Sequence, residues 1–171
     1  MFFKKLIKIP FIVTLLMVTT TASAETPTMS QLADMMEAIK GYTLDVKTTE
    51  NYMSAMNEMA DLAKAKPAVL DSLKAKSKDK DFSVKELSKE MESHPEFSAI
   101  LKKYNLTGND FVLIPGAFMQ AAMISQASPD MAKMMGATTN PANIEFMNKN
   151  RDSLMPKMQA GMQRWSALSG E

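Results

Sequence analysis

A run of fourteen residues near the middle of the chain constrains the fold more than any other feature. Between Phe111 and Ile124, Gln120 is the one strongly polar side chain. A helix that is apolar on nearly all sides has to be buried, and this run is too short to cross a bilayer, which takes about 20 apolar residues. The sequence therefore predicts a central buried helix, kinked near Pro115-Gly116.

The segments on either side show the start signals and the spacing of amphipathic helices. Three of them begin with a Ser or Thr followed three residues later by a polar side chain that can reach back, which is the capping-box pattern. These pairs are Thr28 with Gln31, Ser83 with Glu86, and Thr107 with Asp110. No stretch alternates with period two, and there is no hairpin dipeptide of the Asn-Gly type. We therefore expect an all-α, single-domain bundle of six to eight helices around the central one.

Prolines, glycines and charge runs divide these helices from one another. Gly41 ends the first helix, and Pro67 ends the second and opens a short third one. His94-Pro95 restarts the chain, because the residue before a proline is pushed out of the helical region. Asn105 suits a left-handed closing residue. The charged run at 74–81 predicts a solvated loop, and a single short helix is expected between Ser128 and Gly136.

The last helical segment begins at Asn140-Pro141 and contains Pro156. Its apolar residues keep a helical period through this proline, which predicts a kink or a split. A continuous helix would place Arg151 on the apolar side, where a charge needs a partner. We therefore expect a break before Pro156.

The N-terminus has the layout of a cleavable export signal. Lys4, Lys5 and Lys8 precede an uncharged stretch from Ile9 to Val18, which is followed by Ala22-Ser23-Ala24. A basic region, a short apolar region and an A-x-A site in this order predict secretion and removal of the signal. We expect residues 1–24 to be a signal peptide and residues 25–171 to form the helical domain. The predicted location is the periplasm, without a membrane anchor.

Composition argues against several classes of function. The chain has no cysteine, one histidine and nearly balanced charges, which argues against disulfides, the familiar zinc sites and nucleic-acid binding. The lone His94 lies at the position of a helix-capping residue before Pro95, and no nucleophile is paired with it in sequence. Carboxylates such as Glu86 and Glu90 interleave with lysines, as on a solvated surface. We therefore expect no enzyme activity, no catalytic residue and no cofactor.

Methionine is the compositional exception, with 18 residues. Two stripes have helical spacing, one of Met53, Met56 and Met59 and the other of Met155, Met158 and Met162. Such a stripe can be ordinary core packing, an adaptable apolar groove, or a set of soft thioether ligands that would select Cu(I). Trp165 continues the second stripe, where an aromatic side chain seals the core or anchors a partner.

Three short segments carry a resemblance to a known group of proteins. They are Ser93-His94-Pro95-Glu96-Phe97, the stretch from Leu101-Lys102-Lys103-Tyr104 into Gly108-Asn109-Asp110-Phe111, and Asn140-Pro141-Ala142-Asn143-Ile144-Glu145-Phe146. In these segments the chain resembles uncharacterised secreted helical proteins of Gram-negative bacteria. The resemblance implies a periplasmic address and a helical domain, and it brings no activity with it.

The sequence therefore favours a periplasmic, non-enzymatic binding or interaction protein. It would present a Met-rich apolar surface to a protein partner or a hydrophobic ligand. The candidate binding residues are the six stripe methionines together with Trp165. The alternative is a periplasmic copper-handling protein that uses methionine thioethers as ligands.

Overall fold

The computed structural model describes residues 28–69, 83–128, 130, 132–133 and 139–169. Regular structure within them is helical throughout, which confirms the all-α prediction. The longer helices are α1 (Met29–Gly41), α2 (Val46–Ala65), α3 (Val84–Ser93), α4 (Pro95–Lys103), α5 (Gly108–Ser125) and α6 (Pro141–Ser169). The predicted signal peptide, the predicted loop at 74–81 and most of the predicted short helix after Ser128 lie outside the described residues.

Local side-chain bonds explain where these helices begin. Thr28 and Thr107 each form a complete capping box with the residue three positions later, as predicted. Ser83 accepts from the Glu86 N–H at 3.2 Å. Asp45 caps α2 by accepting from the Thr48 N–H at 2.9 Å, a start signal that the sequence analysis did not use.

The two ends of α4 also lie where the sequence predicts them. His94 is the residue before α4 and has extended backbone, although its side chain makes no capping bond. The imidazole is instead buried edge-on to Phe97, with ring centroids 5.7 Å apart. Asn105 has a φ of 53°, which confirms the left-handed turn after α4.

The central helix is α5, and it packs against α1, α2, α3 and α6. Most of its residues are buried, including Gln120, and the helix runs without interruption through Pro115. Within the apolar run at 111–124, the part-exposed residues are Val112, Gly116, Met119 and Met123, which fall within about 60° of arc. The prediction of a buried central helix is confirmed, and its least buried face is apolar as well.

The last helix corrects the sequence prediction of a break. α6 is continuous from Pro141 to Ser169, with Pro156 inside it. Pro156 lies on the exposed side, where the carbonyl that loses its partner can bond to water. Arg151 does not become a buried charge, because its side chain is 42% exposed and its Nε lies 3.4 Å from an Asp152 oxygen. The register of α6 on the core therefore outweighs the local preference for a break.

Two helices approach closely at the start of α5. An ideal Cβ built on Gly108 would overlap the backbone carbonyl of Ser88 in α3, so only glycine permits this spacing. The Gly108 N–H donates to Glu92 Oε1 at 2.7 Å, which places a carboxylate from α3 at the N-terminus of α5. The α3–α5 contact thus depends on one glycine and one carboxylate.

No helix among the described residues has both the length and the apolarity that spanning a bilayer requires.

Candidate functional site

The seven candidate binding residues divide into two groups by exposure. Met53, Met56, Met59 and Met158 are fully buried members of the core, with at most 4% of their surface exposed. Met155, Met162 and Trp165 are part-exposed and pack against that core from the outside. The structure brings the two sequence stripes together, because α2 and α6 pack against each other.

Met56 lies at a close contact between α2 and α6. Gly161 of α6 lies against it, since an ideal Cβ on Gly161 would overlap Met56 Cε and would lie 3.6 Å from Met56 Sδ. The Trp165 indole N–H donates to the Met56 backbone carbonyl at 3.0 Å, and the Tyr52 hydroxyl lies 3.5 Å from Met56 Sδ. Glycine therefore provides the space that the long Met56 side chain fills, as methionine often does in irregular gaps.

Burial decides which methionines can meet a partner in this conformation. Met53, Met56, Met59 and Met158 are enclosed by other side chains, so of the three alternatives that the sequence leaves open, these four residues fit core packing. The physical reason is that α6 lies over the apolar face of α2 and removes it from water. A part-exposed set remains on α6, formed by Met155, Met162 and Trp165. We call these three residues the methionine rim.

Ion pairs on the solvent side hold α6 against α2. Lys157 Nζ lies 2.7 Å from Glu50 Oε1, and Arg164 pairs with Asp61 and donates to Asn57 Oδ1 at 3.2 Å. Exposed pairs of this kind contribute at most about 1 kcal/mol each. They fix the register of the two helices more than they stabilise the contact.

Metal ligation is restricted by what surrounds the candidate ligands. Among the described residues, no three His, Cys, Asp or Glu side chains converge as a metal site would require. The thioethers of Met53, Met56 and Met59 lie in the closed core, and Met56 Sδ already faces a tyrosine hydroxyl. Copper handling stays a prediction, and no contact of the described residues favours it.

A second arrangement, which sequence reasoning missed, joins the start of α6 to the loop between α1 and α2. Asn143 is 1% exposed; its Oδ1 accepts from the Leu44 N–H and its Nδ2 donates to the Tyr42 carbonyl, both at 2.8 Å. Asn140 Nδ2 donates to the same carbonyl at 3.0 Å and to Thr43 Oγ1 at 3.1 Å. We call Asn140 and Asn143 the asparagine clamp, and they fix the backbone of residues 42–44.

The fixed loop forms one wall of an open cleft of about 640 Å³. Residues from the α1–α2 loop, the start of α2, the end of α4 and the start of α5 line it. They are Tyr42, Thr43, Asp45, Thr48, Lys102, Asn105, Leu106, Thr107 and Asp110. All of these except Leu106 carry a polar side-chain group, and we call this feature the polar cleft.

Tyr42 and Asp110 form the inner part of the polar cleft. The Tyr42 hydroxyl donates to Asp110 Oδ1 at 2.8 Å, while Asp110 Oδ2 accepts from the Thr107 N–H and hydroxyl, both at 2.8 Å. Burial, the bond to Asp110 and the charges of Asp110 and Asp45 raise the pKa of Tyr42 well above its ordinary value. Tyr42 therefore stays a neutral hydroxyl beside two carboxylates.

No protein-family model matches the chain, and neither curated proteins nor solved structures give a significant match. The resemblance to secreted helical proteins of Gram-negative bacteria therefore stays a prediction.

A small polar cluster lies outside both arrangements. Glu58 Oε2 accepts from Lys103 Nζ at 2.6 Å and from the Tyr104 hydroxyl at 2.8 Å. The bond from Lys103, followed by that from Tyr104, lowers the pKa of Glu58 below its ordinary value. The cluster links α2 to the end of α4 and carries no group poised for chemistry.

Proposed function

We propose that this protein is an exported, non-enzymatic binding protein whose methionine rim contacts an apolar, helix-forming segment of a protein partner. The observation that carries the proposal is the part exposure of Met155, Met162 and Trp165 along α6. Methionine side chains are flexible and polarisable, so a surface made of them adapts to apolar partners of different shape.

The spacing on α6 favours a helical partner. Met155 and Met162 are seven residues apart, which places them on one side of the helix about 10 Å from each other along its axis. Apolar anchors on a bound amphipathic helix repeat at the same interval, so two turns of a partner helix can be matched. Trp165 follows nearly one turn later and adds an aromatic side chain of the kind that anchors interfaces.

Export rests on the sequence alone, through the basic region, the apolar region and Ala22-Ser23-Ala24. A non-enzymatic role is supported by the placement of the one histidine, since His94 is buried against Phe97. A general base has to reach the proton that it abstracts, and an enclosed, edge-on imidazole is a poor candidate.

Trp165 is the only tryptophan of the chain, so its fluorescence reports on the rim directly. A suitable probe is a soluble amphipathic peptide in which clusters of leucine and lysine alternate at helical spacing. Titration with this peptide should shift the Trp165 emission to shorter wavelength, because the indole leaves water. The double variant Met155→Gln and Met162→Gln keeps side-chain length but adds amide groups, and it should bind several-fold more weakly.

Gln159→Met is the matched control, because it adds a thioether on the exposed side of the same helix. It should leave binding unchanged if the position of the methionines matters. An unchanged emission spectrum with the peptide would contradict the proposal, and so would equal binding by the Gln variant. A shift with an apolar dye but not with the peptide would indicate a small hydrophobic ligand instead.

A further inference from the structure

The polar cleft holds an exposed cation and an exposed anion that do not neutralise each other. Within the described residues, the ammonium group of Lys102 forms no hydrogen bond or ion pair. Asp45 uses one carboxylate oxygen to accept from the Thr48 N–H at 2.9 Å, and its other oxygen is unused among those residues. The cleft therefore offers one positive and one negative group to a ligand.

The negative charge is concentrated on the side of Tyr42. Asp110 bonds to the Tyr42 hydroxyl, and the charge of Asp45 acts on the same hydroxyl by raising its pKa. The three donors on Asp110 occupy much of its accepting capacity, so Asp45 is the carboxylate with more room for a ligand. A cationic group of a ligand is thus favoured at Asp45, and an anionic group at Lys102.

Neutral groups in the cleft add hydrogen-bonding capacity. The Thr48 hydroxyl and the side-chain amide of Asn105 make no bond among the described residues, and the Thr43 hydroxyl still has its proton to donate. The asparagine clamp holds residues 42–44 in place, so one wall is fixed before any ligand arrives. The volume of about 640 Å³ lies within the range of small-molecule sites.

We propose that the polar cleft binds a small zwitterion of the amino-acid or short-peptide class, with its ammonium group at Asp45 and its carboxylate at Lys102. A neutral saccharide would use the hydroxyl and amide groups but would leave both charges without a counter-charge. The cleft shares no residue with the methionine rim, so it can bind whether or not the rim has a partner.

The decisive probe is dialanine compared with its N-acetylated and its C-amidated forms, because each modification removes one charge. Titration of isotope-labelled full-length protein, followed by amide chemical shifts in NMR spectra, suits the weak affinity of an open cleft. Dialanine should shift amides of the α1–α2 loop and of the start of α2. Loss of either charge should weaken binding about five-fold, the upper end for an exposed ion pair.

Two variants separate ligand binding from folding. Asp45→Asn removes the charge but keeps an efficient helix cap, and Lys102→Gln removes the cation from an exposed position. Each should weaken dialanine binding to a similar extent without lowering the melting temperature. Lys103→Gln is the control, because Lys103 is the neighbouring lysine, pairs with Glu58 and does not line the cleft.

Several results would overturn the zwitterion proposal. They are no shift with dialanine, equal shifts with all three dipeptides, or equal binding by the Asp45 and Lys102 variants. Preferential binding of a neutral disaccharide would overturn it as well and would identify the cleft as a saccharide site. None of these results bears on the methionine rim, which is tested by Trp165 fluorescence.

Discussion

The contact between Met56 and Gly161 predicts that Gly161→Ala changes the free energy of unfolding in opposite directions in the wild-type chain and in a Met56→Ala variant. Gly161→Ala alone should gain about 0.5–1 kcal/mol from helix propensity. The new methyl group would overlap Met56 Cε, and overpacking of this kind costs about 1–3 kcal/mol. The net effect in the wild-type chain should therefore range from neutral to a destabilisation of about 2.5 kcal/mol.

Truncation of Met56 removes the group that the new methyl would meet. Met56→Ala should destabilise by about 2–5 kcal/mol, because Met56 is 4% exposed and a cavity remains. In that background Gly161→Ala has no overlap, fills part of the cavity and keeps its propensity gain. It should therefore stabilise the variant by about 0.5–1 kcal/mol or more, and the coupling energy should be about 1–3 kcal/mol.

Urea unfolding followed by far-ultraviolet circular dichroism would measure the four free energies of unfolding. The slope against urea has to stay constant for the comparison to hold. Ala160→Gly, on the exposed side of α6, gives the propensity term at a neighbouring position without any packing change. A coupling energy below about 0.5 kcal/mol, the noise of such cycles, would refute the close contact between α2 and α6 at this point.

Four further predictions concern the clamp, the close helix contact, the polar cluster and the predicted leader. Asn143→Ala should destabilise by about 2–4 kcal/mol in the same urea assay, because it leaves a buried backbone N–H without its partner and opens a small cavity. Gly108→Ala should lower the melting temperature sharply because its methyl group meets backbone, whereas Gly41→Ala, with open space around it, should not. The folded-state pKa of Glu58 is lowered, so its carboxylate stabilises the fold at pH values above the ordinary glutamate pKa. This contribution is lost as pH falls through the lowered pKa. The difference in melting temperature between wild type and Glu58→Gln should therefore shrink over that pH range. The intact mass of the exported protein should correspond to a chain that begins at Glu25, and a full-length chain in the membrane fraction would contradict the predicted cleavage.

Features set by neighbouring residues could be predicted from the sequence. The capping boxes at Thr28 and Thr107, the restart at Pro95 and the left-handed turn at Asn105 each involve residues within four positions of one another. The buried central helix was also predictable, because an apolar composition on every side leaves it no solvated position.

Features set by distant residues could not be predicted in this way. The continuity of α6 through Pro156 depends on its packing along α2 and α5, which outweighs a local cost of about 3 kcal/mol. Which methionines are buried depends on that same packing, and the six stripe methionines look alike in sequence. The partners of Asn143 are about a hundred residues away, so no local pattern distinguishes it from a surface asparagine.

The asparagine clamp has a consequence for the order of folding. It joins Leu44 to Asn143 across 99 positions of the chain, and Trp165 bonds to Met56 across 109. Closing loops of this length is slow, and during synthesis the early helices appear long before the last one. Until α6 is complete, the side of α2 that α6 covers faces water, although α5 can already contact α1, α2 and α3. We therefore expect the contacts of α6 to form in one late step, once residues 141–169 have left the ribosome.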